Sequence, residues 1–411
     1  MKFELYTANK LKISNDKRSG TILNIAKYGI TLAIVIMLLS LAIVQGFKNE
    51  IETKIYSFNP HIKLQLSPDY NKHITPPINY ASLTDKLDQC DFIQNKYKVI
   101  EKQSLLKTSD AYKAINFRGY DETKDNESIN STLIDGCLPS FNGEKTNEII
   151  VSKRISEDLN INTGDKVYAY FINDKVKVRK LTVTGIFNTD FQDYDENIVI
   201  CNIKLLQQLN EWNSDECSYI GIECVNPVNC KDDSYSIYDL LIKDVINNQT
   251  SDNYLIYNIH DEYNTYFAWL DLLDTNILII LILMAFVSGF TLIAGMLIII
   301  FDRIYTVGIL KSVGASNDSI RRIFILLSQK LILKAMLYGN IIALIICFVQ
   351  DRYHILKLNP DSYYMSFVPV EIDWYNIIIL NIVVLIFSVI TLILPSYIIT
   401  KLAPNKILKF E

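Results

Sequence analysis

Four apolar runs decide most of what this chain can become: Tyr28 to Gly46, Asn276 to Phe301, Leu331 to Val349 and Tyr375 to Ile399. Each approaches or exceeds the roughly 18 to 20 residues that a helix needs to cross a hydrocarbon core about 30 Å thick. The chain as a whole is mixed. Half of its 411 residues are hydrophobic and its mean hydropathy is +0.16, too apolar for a typical soluble protein and too polar for one lying wholly in the bilayer. Between the first and second runs lie roughly two hundred polar, strand-rich residues, enough for one large domain or two small ones. The predicted fold is four transmembrane α-helices with a large α+β extracytoplasmic domain between the first and second.

The expected organisation starts with a cytoplasmic tail over residues 1–27 and a first membrane helix over 28–46. The extracytoplasmic domain covers 47–275, as one body or as two subdomains, and a second membrane helix covers 276–301. A cytoplasmic elbow over 302–330 leads to a third membrane helix over 331–349, an outer loop over 350–374, a fourth membrane helix over 375–399 and a cytoplasmic tail over 400–411. The orientation comes from Lys2, Lys10, Lys12, Lys17, Arg18 and Lys27, which hold the N-terminus inside by the positive-inside rule. Ser40-Leu41-Ala42 has the small residues of a cleavage site, but the tail and run before it are long for a signal peptide and three further spans follow, so the first span is retained.

Net charge is −5, and no basic run is long enough to track a phosphate backbone, which argues against nucleic acid as a partner. Of seven cysteines, Cys90, Cys137, Cys201, Cys217, Cys224 and Cys230 lie between the first two spans, a region expected outside the cytoplasm where disulfides persist. Cys217, Cys224 and Cys230 are close enough in sequence for a bridge, with buried free thiols as the default. With four scattered histidines and no Cys-x-x-Cys pair, no zinc site is expected. No Gly-x-x-x-x-Gly-Lys-Ser/Thr loop cradles nucleotide phosphates, and no nucleophile, base and orienting acid stand at meaningful spacing.

Along the chain, Phe47, Ile51 and Ile55 alternate helically with charges, so the first helix should continue past the membrane surface to Phe58. His61 to Leu66 alternates as a strand, a helix covers Tyr80 to Cys90, and Lys98 to Tyr120 gives strands. From Glu148 the pattern runs strand, amphipathic helix, a Thr163-Gly164-Asp165 turn and a strand. A hairpin tip at Asn173-Asp174 follows, and Val176 to Phe187 returns as the partner strand. Asn197 to Cys201, Tyr219 to Val225 and Tyr254 to Ile259 read as strands, Leu205 to Leu209 and Ser234 to Ile246 as helices. Tyr263, Tyr266, Phe267, Trp269, Tyr363, Tyr364 and Trp374 suit the outer membrane interface. Ala285/Gly289 and Thr291/Gly295 are small-xxx-small pairs, read as close helix packing or as part of a lateral gate. Lys330 and Lys334 snorkel toward headgroups.

The elbow is the most informative stretch, RIYTVGILKSVGASNDSIRRIFILL from Arg303 to Leu327. Ile304, Val307, Leu310 and Val313 recur at helical spacing and Ile309 broadens the stripe, which predicts a short amphipathic helix. Gly314 suits a left-handed helix terminus, and Ser316, Asn317 and Asp318 offer oxygens to cap the next helix. Arg303, Lys311, Arg321 and Arg322 put the elbow on the cytoplasmic side. A short apolar helix there suits a partner's groove.

The string VGILKSVGAS followed by SIRRIF resembles the segment after the second span of FtsX-like ABC transporter permeases, where Gly-Ile-Leu-Lys/Arg-x-x-Gly-Ala-x forms a coupling helix that touches a separate ATPase. The resemblance makes Val307, Gly308, Ile309, Leu310, Lys311, Val313, Gly314 and Ala315 the ATPase-coupling residues. Many relatives carry Glu where this chain has Thr306. In the external region Gly164, Asp165, Gly185, Phe187, Tyr194 and Asp195 occupy positions of the lipoprotein-releasing (LolC/LolE) branch, where turn glycines and strand ends hold the fold. Pro404, Leu408 and Glu411 fit a C-terminal ending common in the family. The long hairpin arm that hooks a lipoprotein chaperone in LolC-type subunits has no counterpart, since Phe171 to Arg179 makes only a short turn.

What the resemblance implies is a permease subunit of the bacterial inner membrane that binds no cofactor itself. Its partners would be a cytoplasmic ABC ATPase dimer carrying ATP and magnesium, a second permease subunit of the same or homologous sequence, membrane lipids, a lipoprotein cargo and, with the hook missing, an open question of a periplasmic chaperone. The alternatives left standing are a MacB-like exporter, a division-type permease that activates wall hydrolases, and a non-transporting sensor or scaffold.

Overall fold

The computed structural model describes residues 4, 6, 7, 17–68, 75–109, 111–124, 127–141, 147–172, 175–246 and 253–401. The expected hairpin tip at Asn173-Asp174, the tail lysines Lys2, Lys10 and Lys12, and the terminal Pro404, Leu408 and Glu411 lie outside them. The chain divides into two compact units, one of Met1–Asn49, Leu270–Lys357 and Phe367–Glu411, the other of Glu50–Trp269 and Leu358–Ser366.

The first unit is built on helices long and apolar enough to cross a membrane, four among the described residues. The first membrane helix is part of Lys17–Phe58, the second of Asn264–Asp302, the third of Asn317–Tyr353, and the fourth is Trp374–Ser396. Their shared core includes Ile30, Ile34 and Met37, Leu292, Met296 and Ile299, Phe324 and Ile332, and Leu380 and Leu392. Apolar side chains gain little from leaving lipid, so membrane helices are held by close packing and hydrogen bonds. Gly339 on the third helix permits such packing. A Cβ there would lie 2.9 Å from Ile34 Cβ and Cγ2 on the first. One turn away, Thr31 Oγ1 donates to the Ala335 carbonyl at 3.3 Å. Gly46 plays the same part at the outer end, where a Cβ would stand 2.9 Å from the backbone nitrogens of Val370 and Glu371. The Glu371 amide donates to the Ala42 carbonyl at 3.0 Å, closing the segment before the fourth helix onto the first.

The second unit is the α+β domain. Its strands are β1 (Ile62–Leu66), β2 (Ile78–Asn79), β3 (Ile93–Lys107), β4 (Tyr112–Tyr120), β5 (Leu133–Gly136), β6 (Glu148–Ser152), β7 (Lys166–Ile172), β8 (Val176–Phe187), β9 (Ile198–Asn202), β10 (Glu216–Cys217), β11 (Tyr219–Cys224) and β12 (Tyr254–Asn258). Among the described residues ten of them join in the order β12-β1-β11-β3-β4-β9-β6-β8-β5, with β7 bridging β3 and β8. The long β3 belongs to two halves. Its first part pairs with β11, from Val99 opposite Tyr219 to Ile93 opposite Cys224, and its second part with β4, from Ile100 opposite Gly119 to Lys107 opposite Tyr112. The strands from β4 to β9 therefore form a half inserted between β1 and its late partners β11 and β12.

Strict alternation explains the clearest strand. In β8, Leu181, Val183, Gly185 and Phe187 are buried and Thr182, Thr184 and Ile186 between them are less so, the period of two that a sheet with one buried face demands. The last turns of the helix Lys17–Phe58 also belong to this unit, with Ile51 and Ile55 fully buried.

One expectation changes here. Tyr194 and Asp195 are not at a strand end but on a short helix, Gln192–Asn197, with both side chains buried. Tyr263, Tyr266 and Tyr364 surround Phe191 at ring separations of 6.4, 5.4 and 5.7 Å, and Tyr266 donates its hydroxyl proton to Asp193. Cys201, Cys217, Cys224 and Cys230 are buried free thiols, and no disulfide joins the described residues.

Candidate functional site

The elbow is a helix Ile304–Ser312 followed by a tight reversal. Gly314 takes φ +93°, where an L side chain would be strained, and the Gly314 and Ala315 amides donate back to the Lys311 and Leu310 carbonyls at 3.1 and 2.9 Å. The next helix starts at once, its N-cap Ser316 accepting from the Ser319 amide at 3.3 Å.

The apolar stripe expected along this helix is not one face. Val307 is fully buried, Gly308 is buried, and Leu310 and Ala315 pack against the membrane core. Tyr305, Ile309 and Val313 stand instead on the outside, 55, 56 and 82% exposed, at i, i+4 and i+8. Val313 keeps helical backbone as the C-cap, and because three-residue steps fall short of a full turn the spacing has drifted off the inward face by the time it reaches Val313. Tyr305 escaped notice in the sequence because a tyrosine is as common on a wet surface as in a groove.

Cations brace the elbow from within the same unit. Lys311 Nζ donates to the Ile399 carbonyl at 2.8 Å, just past the fourth membrane helix. Arg321 Nε donates to Ser396 Oγ at 3.1 Å, and its guanidinium lies over the Tyr397 ring at 3.9 Å. Arg303 is buried beside Asp302, 3.7 Å away. The result is an exposed apolar ridge on a backbone tied to the inner end of the fourth helix.

The small-residue pairs of the second membrane helix face two different neighbours. Gly289 stands against the fourth helix, where a Cβ would meet Phe387 Cε1 at 3.3 Å and Thr391 Cγ2 at 3.6 Å. Gly295 and Thr291 stand against the first, Gly295 facing Ala26 at 3.5 Å and Thr291 Cγ2 facing Gly29 at 3.4 Å. Ala285 packs on the shared core.

In the external unit a charged knot that no residue pattern announced sits at the end of the first long helix. Arg118 on β4 is buried, contacts Glu101 on β3 through Nε and Nη2 at 2.9 Å each, and donates from Nη1 to the Phe58 carbonyl at 3.3 Å and to Asn59 Oδ1 at 3.4 Å. Tyr219 and Asn116 donate to the same carboxylate at 2.7 and 3.3 Å. Burial alone would raise the Glu101 pKa, but Arg118, Lys63 and these donors outweigh it and hold the carboxyl down at about 2. A cation over a helix C-terminus also meets the negative end of the helix dipole. Asp195 goes the other way: burial dominates over its hydrogen bonds from Thr189 and lifts it to about 6.

A charged cleft of about 390 Å³ lies beside it, lined by Lys153, Arg154, Glu157, Asp158 and Asp190 among others. Its cations are spent on local pairs, Lys153 with Glu157 and Arg154 with Glu196. No metal-binding group of His, Cys, Asp or Glu occurs among the described residues.

Residues 278–404 match the model of the FtsX-like permease C-terminal family, and the chain combines that region with the layout of a multi-pass permease, a large α+β domain standing between its first and second membrane helices. Over nearly its whole length it is also similar to the lipoprotein-releasing branch. It is 23% identical to the lipoprotein-releasing system transmembrane protein LolC of Buchnera aphidicola subsp. Schizaphis graminum over 97% of this chain and 96% of that one. With LolE of Haemophilus influenzae it shares 20% over 93 and 94%. Among solved structures, the periplasmic region of MacB from Actinobacillus actinomycetemcomitans aligns over 52% of this chain and 95% of that one, at 13% identity and a TM-score of 0.35.

Proposed function

We propose that this chain is the permease subunit of an inner-membrane ABC transporter that releases lipoproteins, driven by ATP hydrolysis in a separate subunit. The observation that carries the reading is similarity to LolC and LolE along both the membrane and the external parts. In this reading Tyr305, Ile309 and Val313 seat in grooves of an ATPase dimer that clamps two permease subunits. Closure of the ATPases presses the elbow, and Lys311 and Arg321 pass the displacement to the inner end of the fourth helix. The helix Lys17–Phe58 carries movement to the periplasmic domain. Extraction of acylated cargo needs such coupling, because each buried acyl methylene holds the lipid with about 0.8 kcal/mol.

The test is to purify the chain in mild detergent from its native membrane and identify what comes with it. An ABC ATPase and an acylated protein that leaves on ATP addition are the expected companions. Recovery of the ATPase with a non-acylated passenger would redirect the reading to an exporter, and recovery of a wall hydrolase to a division-type permease. Recovery without any ATPase would refute transport.

A further inference from the structure

The polar contacts inside the membrane unit are unevenly distributed. Asn340 on the third helix and Asn381 on the fourth exchange both amide bonds, at 2.8 and 2.9 Å. Each NH2 group also donates back along its own helix, Asn340 to the Met336 carbonyl at 2.7 Å and Asn381 to Ile377 at 2.8 Å. Further toward the elbow, Gln329 Nε2 donates to Ser388 Oγ at 3.2 Å, and beyond it come the Arg321 bond to Ser396 and the Arg321 stack on Tyr397. The two helices are thus laced along most of their length, by amides with no water to fall back on in the bilayer core.

The second helix is held differently. Between Asn276 and Phe301 its described hydroxyls bond only within the helix, Ser288 to Ala285 and Thr291 to Val287. Its neighbours meet it through Gly289 and Gly295. At its exposed outer end Asp274 pairs with Lys48 of the first helix at 2.7 Å. Smooth small-residue seams let a helix slide, whereas a reciprocal amide pair must break before its helices shift.

From this contrast we infer that the third and fourth membrane helices move as one body, with Asn340 and Asn381 as the positioning residues that join them, and that the stroke is taken up along the second helix. The inference rests on the transporter reading for its functional readout and on geometry for the rest.

In a full-length cysteine-free background, two bridged variants separate the cases: N340C/N381C and G289C/F387C, each closed with a short bis-maleimide in the assembled complex. Bridging 340 to 381 should leave ATP hydrolysis within about twofold of the unbridged protein, and bridging 289 to 387 should lower it at least tenfold. Loss of hydrolysis on bridging 340 to 381, or a harmless 289 to 387 bridge, overturns the inference. Spin labels in lipid vesicles give the second readout, on the lipid-facing Leu333 and Ile390 for the laced pair and on Phe290 and Ile390 for the seam. A narrow, nucleotide-insensitive separation is expected for the first pair and a broader one for the second; the reverse order refutes rigid coupling. If the unbridged protein has no ATPase companion, the transporter reading fails while the label separations still decide this one.

Discussion

Replacing Ile309 by Asp is the sharpest single perturbation of the elbow, because more than half of that side chain is already exposed. Its 56% exposure means that the fold loses little when it becomes polar, while a docked partner would lose the contact. Full burial of an isoleucine is worth roughly 1.5 to 3 kcal/mol, so covering the exposed half contributes about 1 kcal/mol to docking. Placing a carboxylate in a dry groove costs about 2 kcal/mol more on the scale of unsatisfied buried polar groups. Together these make about 3 kcal/mol, on the order of a hundredfold in Kd. The assay is titration of the purified ATPase onto immobilised permease in nanodiscs, with ATP hydrolysis read in parallel. A melting temperature of the permease within about 2 °C of the parent is expected alongside the lost affinity. Val307→Asp is the contrasting control, since a fully buried position should destabilise the membrane unit itself. Leu310 is a poorer probe, because it packs on the core and mixes both effects. Unchanged ATPase affinity in Ile309→Asp would refute the assignment of the ridge as the docking face.

Gly339→Val should lower the thermal stability of the detergent-solubilised protein by about 1 to 3 kcal/mol, since the new side chain meets Ile34 at once; a stability equal to the parent's would show that the two helices separate freely. Arg118→Met leaves Glu101 buried without its cation and should cost about 3 to 5 kcal/mol of external-domain stability in urea unfolding, with the double change Arg118→Met/Glu101→Gln recovering part of it. Because the Glu101 pKa is depressed from 4.5 to about 2, its contribution is complete above 4.5 and disappears as pH falls through about 2. The loss amounts to about 3 kcal/mol, measurable as acid unfolding that Glu101→Gln flattens. Asp195, raised to about 6, has the opposite sign: its contribution is complete below 3.8 and is lost as pH rises through 6, so Asp195→Asn should remove a stability decline that runs from about pH 4 to about pH 6.

Local chemistry made much of this protein legible from its residues. The hydropathy runs announced four membrane helices, the run from Val176 to Phe187 placed β8, and Gly314 with Ser316 marked the elbow's reversal and restart. What stayed hidden was non-local or short. Glu101 and Arg118 lie on neighbouring strands that no pattern pairs, and their value appears only when the Phe58 carbonyl arrives beneath them. β5 is four residues long with a register shift against β8, too brief and irregular for a period to show. At the elbow, spacing identified the helix correctly but not its inward face, because three-residue steps drift round a 3.6-residue turn and leave Val313 the most exposed of the ridge.

The interleaved order of the sheet has a price during synthesis. β1 pairs only with β11 and β12, Ile62 standing opposite Ile222 and Asn258, so a ribosome must finish the whole inserted half before the earliest strand finds either neighbour. At typical elongation rates that delay is on the order of ten seconds. Throughout it a nascent IKLQL segment hangs with both edges open, a ready template for wrong pairing with another newborn chain. A strong demand for holdase protection early in export, relieved once Cys224 has emerged, follows from the connectivity alone.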